Sequence, residues 1–465
     1  MMNESLDIKQ YNKMINTKIP KLVTSLAIPA VVSMLVTAIY NMADTYFVSK
    51  LGPVATAAVG IVFSLQAIIQ AVGFTLGMGS GSLISRLLGK KENEKAMEVA
   101  NTAFSSALIF GVLYALFGLV FIDWFMKILG SSETILPYAR DYATYILIGS
   151  PIMAGSFVLN NLLRAEGKTS LSMIGLCTGA IINIGLDPVF ISSWGLNLGI
   201  AGAAIATIIS QLISFGILLS FFLSGKSIVK IKIKYISKKI NTLFEIVKTG
   251  LPSFARQVLA SIAIIILNNV ALKYGSDAAV AANSISVKIY MLVFSVALGM
   301  GQGFQPVVGY NYSSNHPKRV KEAIWFTYGM MTIVLFVSGI ICFIFSKFLV
   351  DLFVQNESVG GPETIEIGSV ILKYNSIAFP FLSLNVILNI TYQSIGMKWK
   401  STLLSSCRQG IFFIPVILTL PLIWGLLGVE VAQAISDLLT FLFTVPFFVV
   451  FIRNLRLSMN NKEFC

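Results

Sequence analysis

The sequence predicts an all-α integral membrane protein, with twelve transmembrane helices in two pseudo-symmetric six-helix bundles. Three observations lead to this fold class: the composition, twelve long apolar runs and an internal repeat. Of the 465 residues, 56% are hydrophobic and only 12% are charged, about half the charged share of soluble domains. This composition excludes a soluble enzyme, a disordered chain and a disulfide scaffold, and it indicates that most of the chain lies in lipid.

The apolar runs fall in two sets of six. A helix that crosses a bilayer needs roughly 20 apolar residues. The first set lies at about 22–48, 54–79, 97–121, 137–161, 169–190 and 197–222, and the second at about 246–272, 280–305, 322–346, 369–395, 403–424 and 429–452. The first run is too long for a signal-peptide core, so we expect it to be retained as a transmembrane helix.

A basic segment separates the two sets, since seven lysines fall between Lys226 and Lys248. We therefore predict five segments. They are an N-terminal tail (1–21), a first bundle that we call the N-lobe (22–225), a linker (226–245), a second bundle that we call the C-lobe (246–453) and a C-terminal tail (454–465).

The distribution of Lys and Arg predicts the orientation. With the N-terminus in the cytoplasm, 26 of the 34 basic residues lie on the cytoplasmic side, Arg408 among them, and 6 lie outside. Arg256 and Lys288 remain inside spans. Because cytoplasmic loops are enriched in Lys and Arg, both termini, the tails and the linker are predicted to be cytoplasmic. The same bias accounts for the net charge of +13 without a nucleic-acid partner.

Sequence landmarks recur in the same order in both lobes. Pro29 matches Pro252, and the segment LGMGSG at Leu76–Gly81 matches LGMGQG at Leu298–Gly303. Each lobe has an even number of spans, so both enter the membrane in the same direction and form a parallel repeat. Two similar bundles that face a central cavity predict alternating access, the mechanism of secondary transporters.

No nucleotide-binding motif is complete in this sequence. Gly167-Lys168-Thr169 resembles the end of a phosphate-binding loop, but Leu162 stands where its first glycine belongs. The glycines of LGMGSG lack dinucleotide spacing and predict close helix packing instead. An ATP-driven pump with its own nucleotide domain is excluded, so the energy must come from an ion gradient or a separate subunit.

Two carboxylates, Asp44 and Asp187, fall at similar depth in the outer half of the N-lobe. A charge at the bilayer centre costs at least about 2.5–3.5 kcal/mol, so the presence of each carboxylate within a span requires a physical explanation. Asn183 lies one helical turn before Asp187, and Tyr40 lies one turn before Asp44, on the same helix faces. Thr207 on the sixth span could reach the same depth.

The repeat offers an internal control for this acidic pair. The C-lobe positions that correspond to residues 44 and 187 are Leu267 and Val416, so the pair is not required by the architecture of a six-helix unit. Two close carboxylates in a low dielectric should bind a proton or a cation. We predict a proton or cation site, in which Na⁺ would be held by Asp44, Asn183, Asp187 and Thr207. A structural hydrogen-bonded network is the alternative.

The C-lobe has its own charges within spans. Glu430 and Asp437 lie seven residues apart on the last span, and an ion pair of Asp437 with Arg256 or Lys288 is predicted. Substrate binding is the other role considered for these charges, and Arg256 is a candidate to line a substrate cavity. Three methionines within spans are further candidates, because flexible thioethers tolerate varied ligands. They are Met34, Met173 and Met291.

Several of these segments together resemble the multidrug and toxic compound extrusion (MATE) transporters, of the DinF/MepA-like bacterial branch. The most specific segments are Tyr40-Asn41-Met42-Ala43-Asp44 and Asn183-Ile184-Gly185-Leu186-Asp187-Pro188. Gly250-Leu251-Pro252 in the C-lobe adds to the resemblance. The resemblance implies export of cationic, amphipathic drugs across the bacterial cell membrane in exchange for H⁺ or Na⁺. It also implies an N-lobe cation site formed by Tyr40, Asp44, Asn183, Asp187 and Thr207. We expect a monomer with no enzymatic activity and no cofactor besides the coupling ion.

Three other protein classes fit this sequence less well. A lipid-linked oligosaccharide flippase of the same wider superfamily would favour a strongly cationic cavity, whereas only Arg256 and Lys288 are predicted to be buried cations. A major-facilitator antiporter would carry a Gly/Asp/Arg-rich motif after its second span, where this chain has Arg86-Leu87-Leu88-Gly89-Lys90-Lys91. An intramembrane enzyme would need motifs such as HExxH, and the sequence lacks them.

Overall fold

The computed structural model describes residues 2–192, 195–354 and 361–461. Within these residues the chain folds into helices joined by short connections. Twelve helical segments are long and apolar enough to cross a membrane, and one of them, Lys398–Trp424, consists of two α-helices joined by a π-helical segment. The predicted fold class and number of spans are therefore confirmed.

The helices of the N-terminal half are α1 (Met2–Asn16), α2 (Ile19–Ser49), α3 (Pro53–Gly89), α4 (Asn93–Val120), α5 (Ile122–Ile128), α6 (Leu136–Ala165), α7 (Thr169–Ile191) and α8 (Gly199–Leu223). Those of the C-terminal half are α9 (Ile240–Tyr274), α10 (Asp277–Ser313), α11 (Pro317–Ile344), α12 (Ser346–Asp351), α13 (Gly361–Ile395), α14 (Lys398–Ser406), α15 (Phe413–Trp424) and α16 (Leu426–Asn461). A π-helical segment, Cys407–Phe412, joins α14 to α15.

Several helices run past the apolar segments that predicted them, chiefly at the ends predicted to be cytoplasmic. The second span was predicted to end near residue 79, whereas α3 continues to Gly89. The seventh was predicted to begin near residue 246, whereas α9 begins at Ile240, inside the predicted linker. Hydropathy marks only the part of a helix that lies in lipid, and the backbone hydrogen bonds of the helix continue beyond it.

The helix contacts show the two-fold repeat directly. In the N-lobe, α3 and α4 both pack against α6, and in the C-lobe α10 and α11 pack in the same way against α13. Between the lobes, α2 packs against α10, and its counterpart α9 packs against α3. The parallel repeat predicted from the landmarks thus describes both the interior of each lobe and their interface.

Small residues bring the lobes close together at these two crossings. A Cβ atom added to Gly79 of α3 would lie 2.9 Å from the backbone nitrogen of Gly250 and closer still to the carbonyl oxygen of Ile246, both on α9. A Cβ atom added to Gly303 of α10 would lie 2.5 Å from the Cα atom of Ala27 on α2. The glycine-rich segments therefore serve helix packing, as predicted.

The substitution Gly79→Ala is expected to destabilise the closely packed lobe interface by about 1–3 kcal/mol, because the added methyl group overlaps backbone atoms of α9. Thermal unfolding of the purified protein would measure the effect. The matched control is Gly60→Ala on the same helix, where no atom lies within 4 Å of the added methyl group. That change should be neutral or slightly stabilising, and equal unfolding temperatures for the two variants would contradict the assignment.

Hydrogen bonds also join the lobes near the predicted cytoplasmic ends of the helices. The Arg164 guanidinium of α6 donates to the Gln302 side chain of α10, and the Gln305 amide of α10 donates to the Ser82 hydroxyl of α3 at 2.7 Å. All four side chains are buried. The structure is thus closed between the lobes at this end.

The predicted N-terminal tail contains helix α1, which contacts both lobes. Gln10 donates to the backbone oxygen of Glu166 in the N-lobe at 2.8 Å. Asn311 and Arg319 of the C-lobe donate to the backbone oxygen of Met14 at 3.1 Å and 3.3 Å. This helix therefore adds to the closure of the same end.

The basic linker is held by one fully buried carboxylate, that of Glu166. Its oxygens accept hydrogen bonds from the Ser227 hydroxyl at 2.5 Å and from the backbone nitrogens of Ile228 and Val229 at 2.9 Å and 3.0 Å. A carboxylate that accepts several such bonds is well compensated for its burial. The start of the linker is therefore fixed to the end of α6.

Candidate cation site in the N-lobe

The acidic residues of the N-lobe meet because three helices pack side by side. Helix α2 carries Asp44, α7 carries Asn183 and Asp187, and α8 carries Thr207; α7 packs against both of the others. The Asp44 side chain is 8% exposed and Asp187 is fully buried. Asn183 and Thr207 are also buried. The structure thus brings these four predicted residues into one buried cluster.

The Asn183 amide lies at the centre of this cluster. Its nitrogen donates to Oδ1 of Asp187 and to the Thr207 hydroxyl oxygen, both at 3.3 Å. The first contact is the one-turn pairing that the spacing of these residues predicts. The second brings in α8, so the amide links two helices while its own oxygen remains available.

Three oxygen atoms of the cluster are buried without a hydrogen-bond partner among the described residues. They are Oδ1 of Asp44, Oδ2 of Asp187 and Oδ1 of Asn183. An unpartnered buried acceptor costs about 1–3 kcal/mol, and more when it is charged. All three atoms are acceptors, so a proton, a cation or a neutral donor such as water would satisfy them.

Two tyrosines border the acidic pair. Tyr40 of α2 interacts electrostatically with Asp44 and Asp187, and the Gln211 side chain of α8 lies next to its hydroxyl. Tyr142 of α6 interacts with the same carboxylates, and the Gln66 side chain of α3 lies next to its buried hydroxyl. Tyr142 was not predicted to belong to this site. The one sequence signal for it is a tyrosine within an apolar run, since a buried tyrosine hydroxyl usually finds a hydrogen-bond partner.

The donor set fits a proton or a monovalent cation. The described residues contain no group of three or more His, Cys, Asp or Glu side chains that could hold a metal ion. Asp44 and Asp187 supply two negative charges, and Asn183, Thr207 and the tyrosines supply neutral oxygens. Na⁺ prefers such hard oxygen ligands, and a proton needs only the carboxylates.

The predicted ion pair of the C-lobe has a different partner from the one expected. Asp437 of α16 pairs with Arg408 at 3.1 Å, rather than with Arg256 or Lys288. The Tyr290 hydroxyl donates to Oδ2 of Asp437 at 2.8 Å and accepts from Arg408 at 2.5 Å. The Gln433 amide donates to Oδ1 of Asp437 at 3.0 Å. The prediction of a buried pair was therefore correct for Asp437 and wrong for its partner.

The π-helical segment Cys407–Phe412 accounts for this difference. Arg408 falls next to polar residues at the start of the eleventh span, so its position suggested a cytoplasmic loop. Its side chain is only 7% exposed, because the π-turn changes the direction in which side chains leave the helix. Arg408 therefore lies inside the bundle and does not belong among the basic residues counted on the cytoplasmic side.

The other charges of the C-lobe spans form no such pair. Lys288 is exposed on α10, and Glu430 has no ion pair among the described residues.

The candidate cavity residues are dispersed in the structure. Met34 and Met173 are half-buried, while the side chain of Met291 is 44% exposed on α10. Arg256 lines a pocket of the C-lobe that none of these methionines borders. A role of the methionines in substrate binding stays a prediction.

Twelve spanning helices in two related lobes, with an acidic cluster in one of them, define a two-lobed membrane transporter. The model of the MatE family matches residues 29–189 and 252–419, so the chain belongs to the MatE family. The two matched segments begin at the repeat landmarks Pro29 and Pro252, one in each lobe.

Relatives and solved structures agree with this assignment. The chain is similar to the multidrug export protein MepA of Staphylococcus haemolyticus (strain JCSC1435), with 28% identity over 438 residues and 94% of each chain covered. It is 26% identical to MepA of Staphylococcus aureus (strain MRSA252), with the same coverage. A solved multidrug resistance MATE family transporter of the MOP superfamily, in an outward-facing conformation, matches with a TM-score of 0.90 and 27% identity, and 95% and 98% of the two chains are covered.

Proposed function

We propose that this transporter exports cationic and amphipathic compounds in exchange for H⁺ or Na⁺, with the coupling ion bound in the N-lobe. The observation that carries the proposal is the buried pair Asp44 and Asp187. Each carboxylate has one buried oxygen without a hydrogen-bond partner among the described residues, and a proton or Na⁺ could bind there. The C-lobe carries no carboxylates at the corresponding positions. The multidrug export function of the MepA relatives supports the substrate class.

Ion binding can change the packing of α2. Without an ion, the two carboxylates repel each other across the contact between α2 and α7, and a bound proton or Na⁺ removes that repulsion. Helix α2 also packs against α10 of the C-lobe and contains Pro29, which removes a backbone hydrogen bond within the helix. A change in the shape of α2 would therefore reach the interface between the lobes.

The closed end of the structure defines one state of the proposed cycle. The bonds from Arg164 to Gln302 and from Gln305 to Ser82 hold the lobes together at the predicted cytoplasmic side. Uptake of a substrate from the cytoplasm would require these bonds to break. In alternating access, the lobes then close at the opposite end. We place both termini in the cytoplasm and propose that the monomer is the transporting unit.

Dye efflux from proteoliposomes tests this proposal. Purified protein would be reconstituted with a fluorescent cationic dye, and a pH gradient and a Na⁺ gradient would be imposed in separate experiments. We expect one gradient to drive efflux and its dissipation by an ionophore to stop it, because transport uphill requires the ion to move downhill.

The control is the same vesicles without protein, under the same gradients. Dye movement that ignores both gradients would contradict ion-coupled export. Vesicles that move no dye but translocate a lipid-linked oligosaccharide would favour a flippase of the same wider superfamily.

A further inference from the structure

The segment that joins the two lobes carries a cluster of lysines. From Lys226 to Phe244 the sequence contains six lysines and no aspartate or glutamate. Four of these lysines are exposed, and we call them the linker lysines: Lys232, Lys234, Lys238 and Lys239. None of the four forms an ion pair among the residues that the structure describes. Their positive charge is therefore available to a partner outside the chain.

The backbone of this segment is fixed to the N-lobe. The Asn101 amide of α4 donates to the backbone oxygen of Lys230 at 2.8 Å, and its oxygen accepts from the backbone nitrogen of Lys232 at 2.7 Å. The Thr102 hydroxyl of α4 accepts from the backbone nitrogen of Ser237 at 3.0 Å. Together with the carboxylate bonds at the start of the linker, these contacts hold the segment in one conformation. Binding of a partner to the linker lysines would therefore cost little backbone entropy.

Large apolar side chains are exposed among the linker lysines. Ile233 is 86% exposed between Lys232 and Lys234, and Ile240 is 68% exposed directly after Lys239. An isoleucine in water lacks the stabilisation that burial in an apolar environment supplies. The exposure of both side chains next to lysines indicates a partner that is apolar and anionic at once.

The apolar face of α9 identifies this partner as the lipid bilayer. Exposed apolar residues recur at alternating steps of four and three along the helix: Ile240, Phe244, Val247, Leu251 and Phe254. This spacing forms a single stripe on one helix face. The stripe runs without interruption from Phe254, inside the seventh span, to Ile240 at the start of the helix. Ile240 therefore continues the surface that faces lipid.

The length of this extension matches the headgroup layer of a bilayer. Hydropathy places the start of the seventh span near Ile246, and the helix rises about 9 Å along its axis between Ile240 and that point. The headgroup layer is about 5–8 Å thick on each side of the hydrocarbon core. At this depth apolar side chains reach the acyl chains, while lysine ammonium groups reach the lipid phosphates.

We propose that the linker lysines, together with Ile233 and Ile240, form a binding surface for anionic phospholipids. The ammonium groups bind phosphate oxygens, and the two isoleucines contact the upper part of the acyl chains. The positive-inside bias alone accounts for the number of lysines, but it requires neither exposed isoleucines nor a fixed backbone. Each lysine near an anionic membrane adds to the attraction, so four on one fixed segment favour anionic over zwitterionic headgroups. The inference goes beyond the proposed export function and does not depend on it.

Thermal unfolding of the protein in neutral detergent tests this surface, with dioctanoyl phosphatidylglycerol as the anionic probe and dioctanoyl phosphatidylcholine as the zwitterionic one. We expect phosphatidylglycerol to raise the unfolding temperature of the wild type at lower concentrations than phosphatidylcholine. The variant Lys232→Gln/Lys234→Gln/Lys238→Gln/Lys239→Gln should need at least about tenfold more phosphatidylglycerol for half of its stabilisation, because four attractive charges are lost. Its response to phosphatidylcholine should change less than about threefold.

A matched control removes the same charge at the same predicted cytoplasmic end of the molecule. It replaces four exposed lysines outside the linker by glutamine: Lys9, Lys13, Lys90 and Lys318. Each variant is compared with its own unfolding temperature without lipid, and the control should keep the wild-type response to phosphatidylglycerol. A wild type that does not prefer phosphatidylglycerol, or equal losses in the two lysine variants, would overturn the proposal.

The variant Ile233→Ser/Ile240→Ser separates a lipid from a free anion. It keeps all lysines but loses the apolar contacts, so it should need at least about threefold more phosphatidylglycerol than the wild type. Inorganic phosphate at the same concentrations should stabilise neither protein. If inorganic phosphate stabilises the wild type, the linker-lysine variant loses that effect and the isoleucine variant responds to phosphatidylglycerol like the wild type, then the segment binds free anions and the lipid assignment is wrong.

Discussion

Replacing Asp44 or Asp187 by asparagine is expected to abolish gradient-driven efflux while the protein remains folded. Asparagine keeps the size of the side chain, but it cannot carry the negative charge that binds a proton or Na⁺. We expect each variant to lower the efflux rate at least about tenfold, the effect of losing about 1.4 kcal/mol or more of ion-dependent free energy. The measurement is the initial rate of dye efflux from proteoliposomes under the driving gradient.

A matched control is Asp141→Asn on α6, which neutralises an exposed acidic residue outside the cluster and should leave efflux unchanged. Thermal unfolding would verify that the three variants are folded. Undiminished gradient-driven efflux in both Asp44→Asn and Asp187→Asn would exclude the N-lobe cluster as the coupling site. Loss of efflux in only one of them would assign the ion to that carboxylate alone.

Breaking the buried pair of the C-lobe should have the largest effect on stability. Removing one partner leaves the other charge buried and uncompensated, at a cost of about 3–5 kcal/mol. Arg408→Leu would leave Asp437 without its ion pair and with hydrogen bonds from Tyr290 and Gln433 alone. Asp437→Leu would leave the Arg408 side chain with the Tyr290 hydroxyl as its remaining hydrogen-bond partner. Thermal unfolding of the purified variants, and their yield in the membrane, would show the loss.

The double variant Arg408→Leu/Asp437→Leu provides the decisive comparison. Because it removes both charges, it should be more stable than either single variant, and the coupling energy follows from the double-mutant cycle. Lys318→Gln, at an exposed site at the start of α11 in the same lobe, serves as the control and should unfold like the wild type. Additive effects of the two single changes would show that the pair makes no net interaction.

Some features of the structure could be predicted from the sequence alone, because each depends on the residues of a single helix. The length and hydropathy of each run predicted the twelve spans, since lipid forces backbone groups to bond within their own helix. The one-turn spacing of Asn183 and Asp187 placed both on one face of α7. The absence of carboxylates at the C-lobe positions that match Asp44 and Asp187 pointed to a special role for this cluster.

Other features depend on contacts between helices and were missed or assigned wrongly. Tyr142 approaches the acidic pair because α6 packs beside it, and no spacing along the chain encodes that contact. Arg408 looked like a loop residue because its neighbours are polar, and Asp437 had several candidate partners at a plausible depth.

The sequence by itself thus determined the class of fold, the repeat and the buried carboxylates of the N-lobe. Those features follow from hydropathy, helical periodicity and the cost of charge in lipid, which are local properties of the chain. Only the tertiary structure decided that Arg408 faces Asp437 and that the lobes are closed at one end. The physical reason is that a π-turn and the approach of small residues between helices set side-chain directions and distances, and these arise from packing.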